Sequence, residues 1–227
     1  VTAFARRFPA ALLQWEDFSK QKAFDVMERY RDRLPSLNDD IQGTGAVVLA
    51  GLLASARMTH RKLTDETFVV HGAGAGGVGV AQQIITGLVK QGLSSEEARA
   101  RGLVIDSRGL LVEGREGMEP YKLSVAQAAS RLEGWEFSGS APDLLETVRN
   151  AKATALLGLS GQAGAFDQGL VQDVAANSPR PIVFPLSNPT ANSEAVPEDV
   201  LEWTNGAAVV ATGSPFPDVT RDGRQFV

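Results

Sequence analysis

The sequence predicts a doubly wound α/β fold, a parallel sheet with helices on both faces, and three observations carry that prediction. Short aliphatic or β-branched runs recur at residues 67–71, 103–106, 155–160, 181–186 and 208–211, with helix-compatible segments between them. The run 67–80 passes from Thr67-Phe68-Val69-Val70 through Gly72, Gly74 and Gly77 into an apolar helical pattern, which reads as strand, tight turn, helix. Most of the strand runs end in small polar or acidic residues: Asp106, Ser160-Gly161, Ser187-Asn188 and Thr212-Gly213-Ser214. Alternating strands and helices make a parallel sheet, and in such sheets the ligand crevice lies outside the carboxyl ends of the strands.

Composition bounds the rest. The chain of 227 residues has room for one sizeable domain with an appendage, and 43% hydrophobic against 22% charged residues is ordinary for a globular core. A net charge of −5 without a basic cluster argues against a nucleic-acid partner. The absence of cysteine excludes disulfides, thiolate metal sites and cysteine nucleophiles. No run of about 18 apolar residues is read and no signal peptide opens the chain, so the expectation is a soluble cytoplasmic protein with no membrane partner. The chain starts at Val1, in a charged helix-like segment, which suits a processed protein or an excised domain.

In chain order, residues 1–11 read as helix, and residues 11–15 as a strand delivering Glu16-Asp17-Phe18 to its carboxyl end. Phe24, Met27, Tyr30 and Leu34 recur at near-helical spacing over residues 22–33, and Pro35 ends that helix. Their stripe reads as core. The polar stretch Asn38-Asp39-Asp40-Ile41-Gln42-Gly43-Thr44 is followed by an apolar run, residues 46–56, suited to a buried helix. Clustered carboxylates pinned beside a buried helix need a cation or hydrogen-bond donors, and an Asx turn with an N-cap is the competing reading.

Gly72, Gly74 and Gly77 fit G-x-G-x-x-G: the first permits the turn, the second lets a pyrophosphate approach the backbone, the third lets helix pack on strand. A glycine-rich hairpin is the alternative. Ser94 and Glu97 form a capping box for a short helix ending near Arg101. Asp106 ends the next strand, where an acidic side chain accepts from an adenosine ribose hydroxyl; the interval from Gly77 exceeds the usual ~20 residues, because of the insertion at 94–100. Ser107-Arg108, with Lys122 if the loop folds back, could instead meet a 2′-phosphate. Residues 109–140 show no clean period. A helix is expected over 140–150, another over 167–176, and a third from Pro197 to Trp203. His60 and His71 read as structural.

With Trp15-Glu16-Asp17-Phe18, Asn38-Asp39-Asp40-Ile41-Gln42-Gly43-Thr44, Gly72-Ala73-Gly74, Leu186-Ser187-Asn188-Pro189-Thr190 and Gly213-Ser214-Pro215-Phe216 in this order, the chain resembles the malic enzymes over nearly its whole length. The resemblance implies oxidation of L-malate with NAD (or NADP) and decarboxylation to pyruvate, using Mg²⁺ or Mn²⁺. The related malolactic reaction and a non-catalytic dinucleotide-binding module are the alternatives. It implies Glu16, Asp17 and Asp40 as metal ligands, all hard oxygen donors. It implies Asp39 as support of the catalytic base, Asn188 at substrate and nicotinamide, and Gly72, Ala73, Gly74, Asp106 and Ser160 at the cofactor. The family's lysine base and tyrosine acid lie in upstream motifs that are not present. The Gly-Asn-Asn segment that follows Gly-Ser-Pro-Phe in the family is not present either. Residues 1–38 are therefore expected to be the end of a preceding catalytic domain and 39–227 the NAD(P)-binding domain, inactive on its own and part of a homo-oligomer in the intact enzyme.

Overall fold

The computed structural model describes residues 1–221 and 223–226. The chain opens with helix α1 (Thr2–Arg7) and strand β1 (Leu13–Trp15), both shorter than the sequence suggests, then α2 (Lys20–Tyr30) and β2 (Ser36–Asn38). The last of these is a strand in a stretch that reads as plain polar loop. It pairs in parallel with β1, Trp15 opposite Asn38. A single π-helical turn, Asp39–Gly43, leads straight into α3 (Thr44–Thr59). The Asx reading of this turn holds: the Asn38 side chain accepts from the Ile41 N–H at 3.0 Å, and Gln42 Oε1 accepts from the Asn38 N–H at 2.9 Å.

The sheet proper follows. β3 (Phe68–His71), α4 (Ala75–Lys90), α5 (Ser95–Arg101), β4 (Gly102–Asp106) and the short β5 (Gly109–Leu110) make the first half. Then come α6 (Leu144–Ala151), β6 (Ala155–Gly158), α7 (Gln168–Asn177), β7 (Ile182–Pro185), α8 (Pro197–Trp203) and β8 (Val209–Val210). A hairpin of β9 (Val219–Arg221) and β10 (Arg224–Phe226), for which the sequence carried no expectation, closes the described chain. α6 begins after Asp143 and not at 140, because Asp143 and Glu146 form a capping box there.

Six strands lie in the order β5-β4-β3-β6-β7-β8, all parallel except β5, which runs antiparallel on β4. Chain order reverses at β3, so the crevice opens between the ends of β3 and β6. Side chains alternate between two cores because a strand has period two. Phe68, Val70, Val104, Leu157 and Phe184 face Val48, Leu52, Ile84 and Leu88 of α3 and α4, while Val69, Leu103, Ile105, Leu156 and Val183 face Val148, Leu170, Val174 and Val200 of α6 to α8. Of the predicted stripe, Phe24 joins the first core beside Ala23 and Met27 packs at its edge, whereas Tyr30 stacks on Trp15 at 5.5 Å and Leu34 lies beyond the end of α2, both outside the core.

One expectation is corrected. The helical run 39–59 is long and apolar enough to cross a membrane by length and composition, although no such stretch was read from the sequence. One face, Val48, Leu52, Ser55 and Ala56, is buried against the sheet side of the fold, while Val47 and Met58 lie exposed on the other, so the fully buried helix expected from the apolar run is only half so. It packs closely along α4 because a methyl on Gly79 would lie 2.5 Å from the Ile41 carbonyl oxygen; only glycine allows that approach.

Candidate functional site

The glycine loop leaves β3 at the reversal point. Gly72 has φ of +119°, and a methyl there would lie 2.2 Å from the Leu159 carbonyl oxygen, so the turn demands glycine twice over. A methyl on Gly77 would lie 1.7 Å from the Gly72 carbonyl oxygen, which is how α4 starts so close to β3. Gly74 differs, since nothing lies within 4 Å of the position its methyl would take. That open face sits at the N-cap of α4, where free N–H groups and the helix dipole favour an anion. Ala73 is buried, and its carbonyl accepts from the hydroxyl of buried Tyr121 at 3.0 Å. Tyr121 in turn stacks on Phe24, ring centroids 4.9 Å apart.

Asp106 ends β4 as expected, but it is enclosed by cations. Its Oδ1 accepts from the Arg108 N–H at 2.9 Å and from Arg115 at 3.1 Å; its Oδ2 accepts from the second Arg115 nitrogen and from Lys122 Nζ at 2.9 Å. Burial works to raise the Asp106 carboxyl, and the bonds from Arg115, Lys122 and Arg108 outweigh it, holding it below the usual range. Lys122 also pairs with Glu119 at 2.8 Å; burial acts to lower it, and its bonds to Glu119 and Asp106 hold it above the usual lysine range. Thus the loop does fold back. All the ordinary acceptor positions of Asp106 are met, so a ribose hydroxyl would have to displace one of these partners. Arg108 turns its guanidinium to the carbonyls of Glu116 and Gly117. Arg115 and Tyr121 were missed because they lie in the aperiodic stretch 109–140.

At the ends of β6 and β7, Ser160 and Ser187 converge on Glu194, a fully buried residue that no sequence signal singles out. The hydroxyl protons of both serines go to Glu194, so toward a ligand each is left to act as an acceptor. Asn188 follows Ser187, is exposed at the crevice mouth, and makes a cis peptide bond to Pro189. His71, the last residue of β3, is held below the usual imidazole range by burial, against an opposing pull from the Glu194 charge. His60 is the left-handed C-cap of α3, in keeping with a structural role.

The carboxylates gather through strand pairing. Because β1 and β2 are parallel with Trp15 opposite Asn38, Glu16-Asp17 and Asp39-Asp40 leave adjacent strands at the same end. Asp17 is left-handed, φ 59°, and its N–H donates to Asp40 Oδ2 at 3.1 Å. A methyl on Gly76, in the first turn of α4, would lie 3.5 Å from the Asp40 carbonyl oxygen, so these acids border the glycine loop. Among the described residues no group of three such side chains closes on one point. Glu16 is drawn toward the Gln14 amide at 3.5 Å, and Asp40 accepts from the Asp17 N–H through Oδ2.

Residues 41–227 match the family model described as malic enzyme, NAD binding domain. The chain belongs to the malic enzyme family. It is 44% identical over 226 residues to the NAD-dependent malic enzyme of Edwardsiella ictaluri and 46% identical to that of Pectobacterium carotovorum, covering all of this chain and 40% of each relative. This malic enzyme chain therefore spans about two fifths of the length of the curated relatives it matches. Among solved structures it resembles a malic enzyme from Entamoeba histolytica, with a TM-score of 0.72 at 24% identity over 93% of this chain and 40% of that one. It also resembles the NAD-dependent malic enzyme of Thermotoga maritima, with a TM-score of 0.69 at 25% identity over 93% of this chain and 51% of that one. The six-stranded, mostly parallel sheet is the NAD-binding domain of the family.

Proposed function

We propose that the intact protein carries out NAD-dependent oxidative decarboxylation of L-malate to pyruvate and CO₂, as a cytoplasmic homo-oligomer. The observation that carries this reading is the seating of Asp39-Asp40 against the first turn of α4, which brings acidic groups to the edge of a dinucleotide crevice; a nucleotide sensor has no need of them there. In this reading residues 1–38 are the end of the preceding catalytic domain and 39–227 the dinucleotide domain.

The open face of Gly74 and the free N–H groups of α4 receive the pyrophosphate, with the adenosine half toward Asp106 and the nicotinamide half toward β6 and β7. Glu16, Asp17 and Asp40 would hold a divalent cation, all being hard oxygen donors; Asp40 keeps Oδ1 for it while Oδ2 accepts from the Asp17 N–H. Bound Mg²⁺ or Mn²⁺ supplies Lewis acidity toward the C2 oxygen of malate. Asp39 supports the base that takes the hydroxyl proton, and Asn188 contacts malate and the nicotinamide. NAD is preferred over NADP because the Asp106 carboxylate, its charge already engaged by Arg115 and Lys122, neutralises the cations a 2′-phosphate would seek.

Full-length protein supplied with L-malate, Mn²⁺ and NAD should form NADH and pyruvate together. Lactate without NADH would favour the malolactic reaction, and no malate consumption with either dinucleotide would overturn the proposal.

A further inference from the structure

Glu194 stands out among the buried groups outside the residues so far assigned a role. It is fully buried, and its Oε1 accepts from the Ser160 N–H at 2.8 Å, the Ser160 hydroxyl at 2.8 Å and the Ser187 hydroxyl at 2.6 Å, while Oε2 accepts from the Ser187 N–H at 3.3 Å. The two serines pass the tie onward. The Ser187 hydroxyl accepts from the Gly161 N–H at 2.9 Å, and the Ser160 hydroxyl accepts from the Gln162 N–H at 3.1 Å. One carboxylate therefore fastens the loops that follow β6 and β7 to each other. Room for it is made by the backbone, since a methyl on Gly158 would lie 2.4 Å from its carboxyl carbon.

Burying a carboxylate is costly unless it is hydrogen-bonded and its charge is balanced. Here the hydrogen bonds are complete, but among the described residues no lysine or arginine pairs with Glu194. His71 feels the Glu194 charge, but burial outweighs that pull and holds its imidazole below the usual range. The negative charge is thus left to act on whatever occupies the crevice above Ser160 and Ser187. By the topology of the sheet that is the nicotinamide half of the cofactor, and the oxidised ring is a cation whereas the reduced ring is neutral.

Resting on the reading under Proposed function, we infer that Glu194 is a positioning residue: it locks the ends of β6 and β7 beneath the nicotinamide and supplies a buried negative charge that favours the oxidised cofactor over the reduced one. Such a charge draws NAD⁺ in and helps NADH leave.

The test is a binding comparison on the full-length protein. Glu194→Gln keeps the shape and removes the charge. Affinity for NAD⁺ should fall about tenfold, the order expected of one charge acting at close range in a partly buried site. Affinity for NADH should fall much less, and that for ADP-ribose, which lacks the ring, should be unchanged. A purely structural role would weaken all three ligands in proportion, and an inert one would weaken none; either result overturns the inference. Ser187→Ala removes one donor to Glu194 but leaves the carboxylate its charge, so it should lower the NAD⁺ to NADH affinity ratio far less than Glu194→Gln does; an equal fall in both variants would trace the effect to the tie between the loops and overturn the charge role. Lack of malate oxidation by the unaltered protein would sink the assigned reaction, while the ratio of ligand affinities would still decide the role of Glu194.

Discussion

The hydroxyl of Tyr121 donates to the carbonyl of Ala73 across 3.0 Å, so the glycine loop is held by a residue of the short 3-10 helix Pro120–Val125 that follows β5. Tyr121→Phe keeps the stacking on Phe24 and removes only this bond, leaving a buried carbonyl unmet. The expected cost is about 1–2 kcal/mol of stability. The rise in melting temperature that NAD confers should shrink as well, because the loop is no longer preset. Thermal melts with and without NAD check both.

Gly74 and Gly77 should respond to alanine in opposite ways. A methyl on Gly77 collides with the Gly72 carbonyl at 1.7 Å, so Gly77→Ala should lower stability by several kcal/mol and take NAD binding with it. Gly74→Ala meets no protein atom, and Gly74 has φ of −78°, which alanine adopts freely. It should leave the melting temperature unchanged or raise it slightly, yet abolish NAD binding by filling the pyrophosphate's space. Retained NAD affinity in Gly74→Ala would mean that the cofactor does not cross this face.

Asp106 is held below the usual carboxylate range, so its contribution to stability is fully present above the ordinary value of about 3.9 and is lost as pH falls through its lower folded value. Lys122 has the reverse sign: held high, it contributes below the ordinary lysine value of about 10.4, and the contribution is lost as pH rises through the folded one. Asp106→Asn leaves Arg115 and Lys122 facing each other and should cost about 2–3 kcal/mol at neutral pH. The difference from the unaltered protein should narrow as pH falls below the ordinary carboxylate value and through the lower folded one, as melts across a pH series would reveal. The same variant should shift the ratio of NAD to NADP affinity toward NADP by about tenfold, since two cations are set free for a 2′-phosphate; an unchanged ratio would remove Asp106 from cofactor choice.

Asp40→Ala in the full-length protein should abolish tight Mn²⁺ binding. Asp25→Ala, on the exposed face of α2 where the carboxylate accepts from Gln21 at 2.8 Å, should leave it intact. Charge changes equally in both. Titration of Mn²⁺ against the two variants separates ligation from bulk electrostatics, and equal loss would end the carboxylate-site proposal.

What the sequence alone determined is local. Alternating strands and helices, the glycine turn at Gly72 to Gly77, the capping box at Ser94 and the acidic pairs Glu16-Asp17 and Asp39-Asp40 are written in spacings a few residues long, because periodicity, φ preference and capping act over one turn or one strand. Only the tertiary structure decided which distant groups meet. Strand β2 is too short and polar to carry a period, yet its parallel register with β1 is what sets the two acidic pairs side by side. Arg115, Tyr121 and Glu194 have no periodic or capping signature: Tyr121 reaches the Ala73 carbonyl 48 residues back and Glu194 reaches Ser160 34 residues back, while Arg115 meets Asp106 only because the irregular segment between them folds back. The antiparallel β5 and the hairpin of β9 and β10 pair locally but are two or three residues long, too short to show an alternation of their own. Burial made the final difference: a carboxylate in sequence is merely acidic, and enclosure among donors and cations turned Asp106 into an ion-pair hub and Glu194 into a tie between two loops.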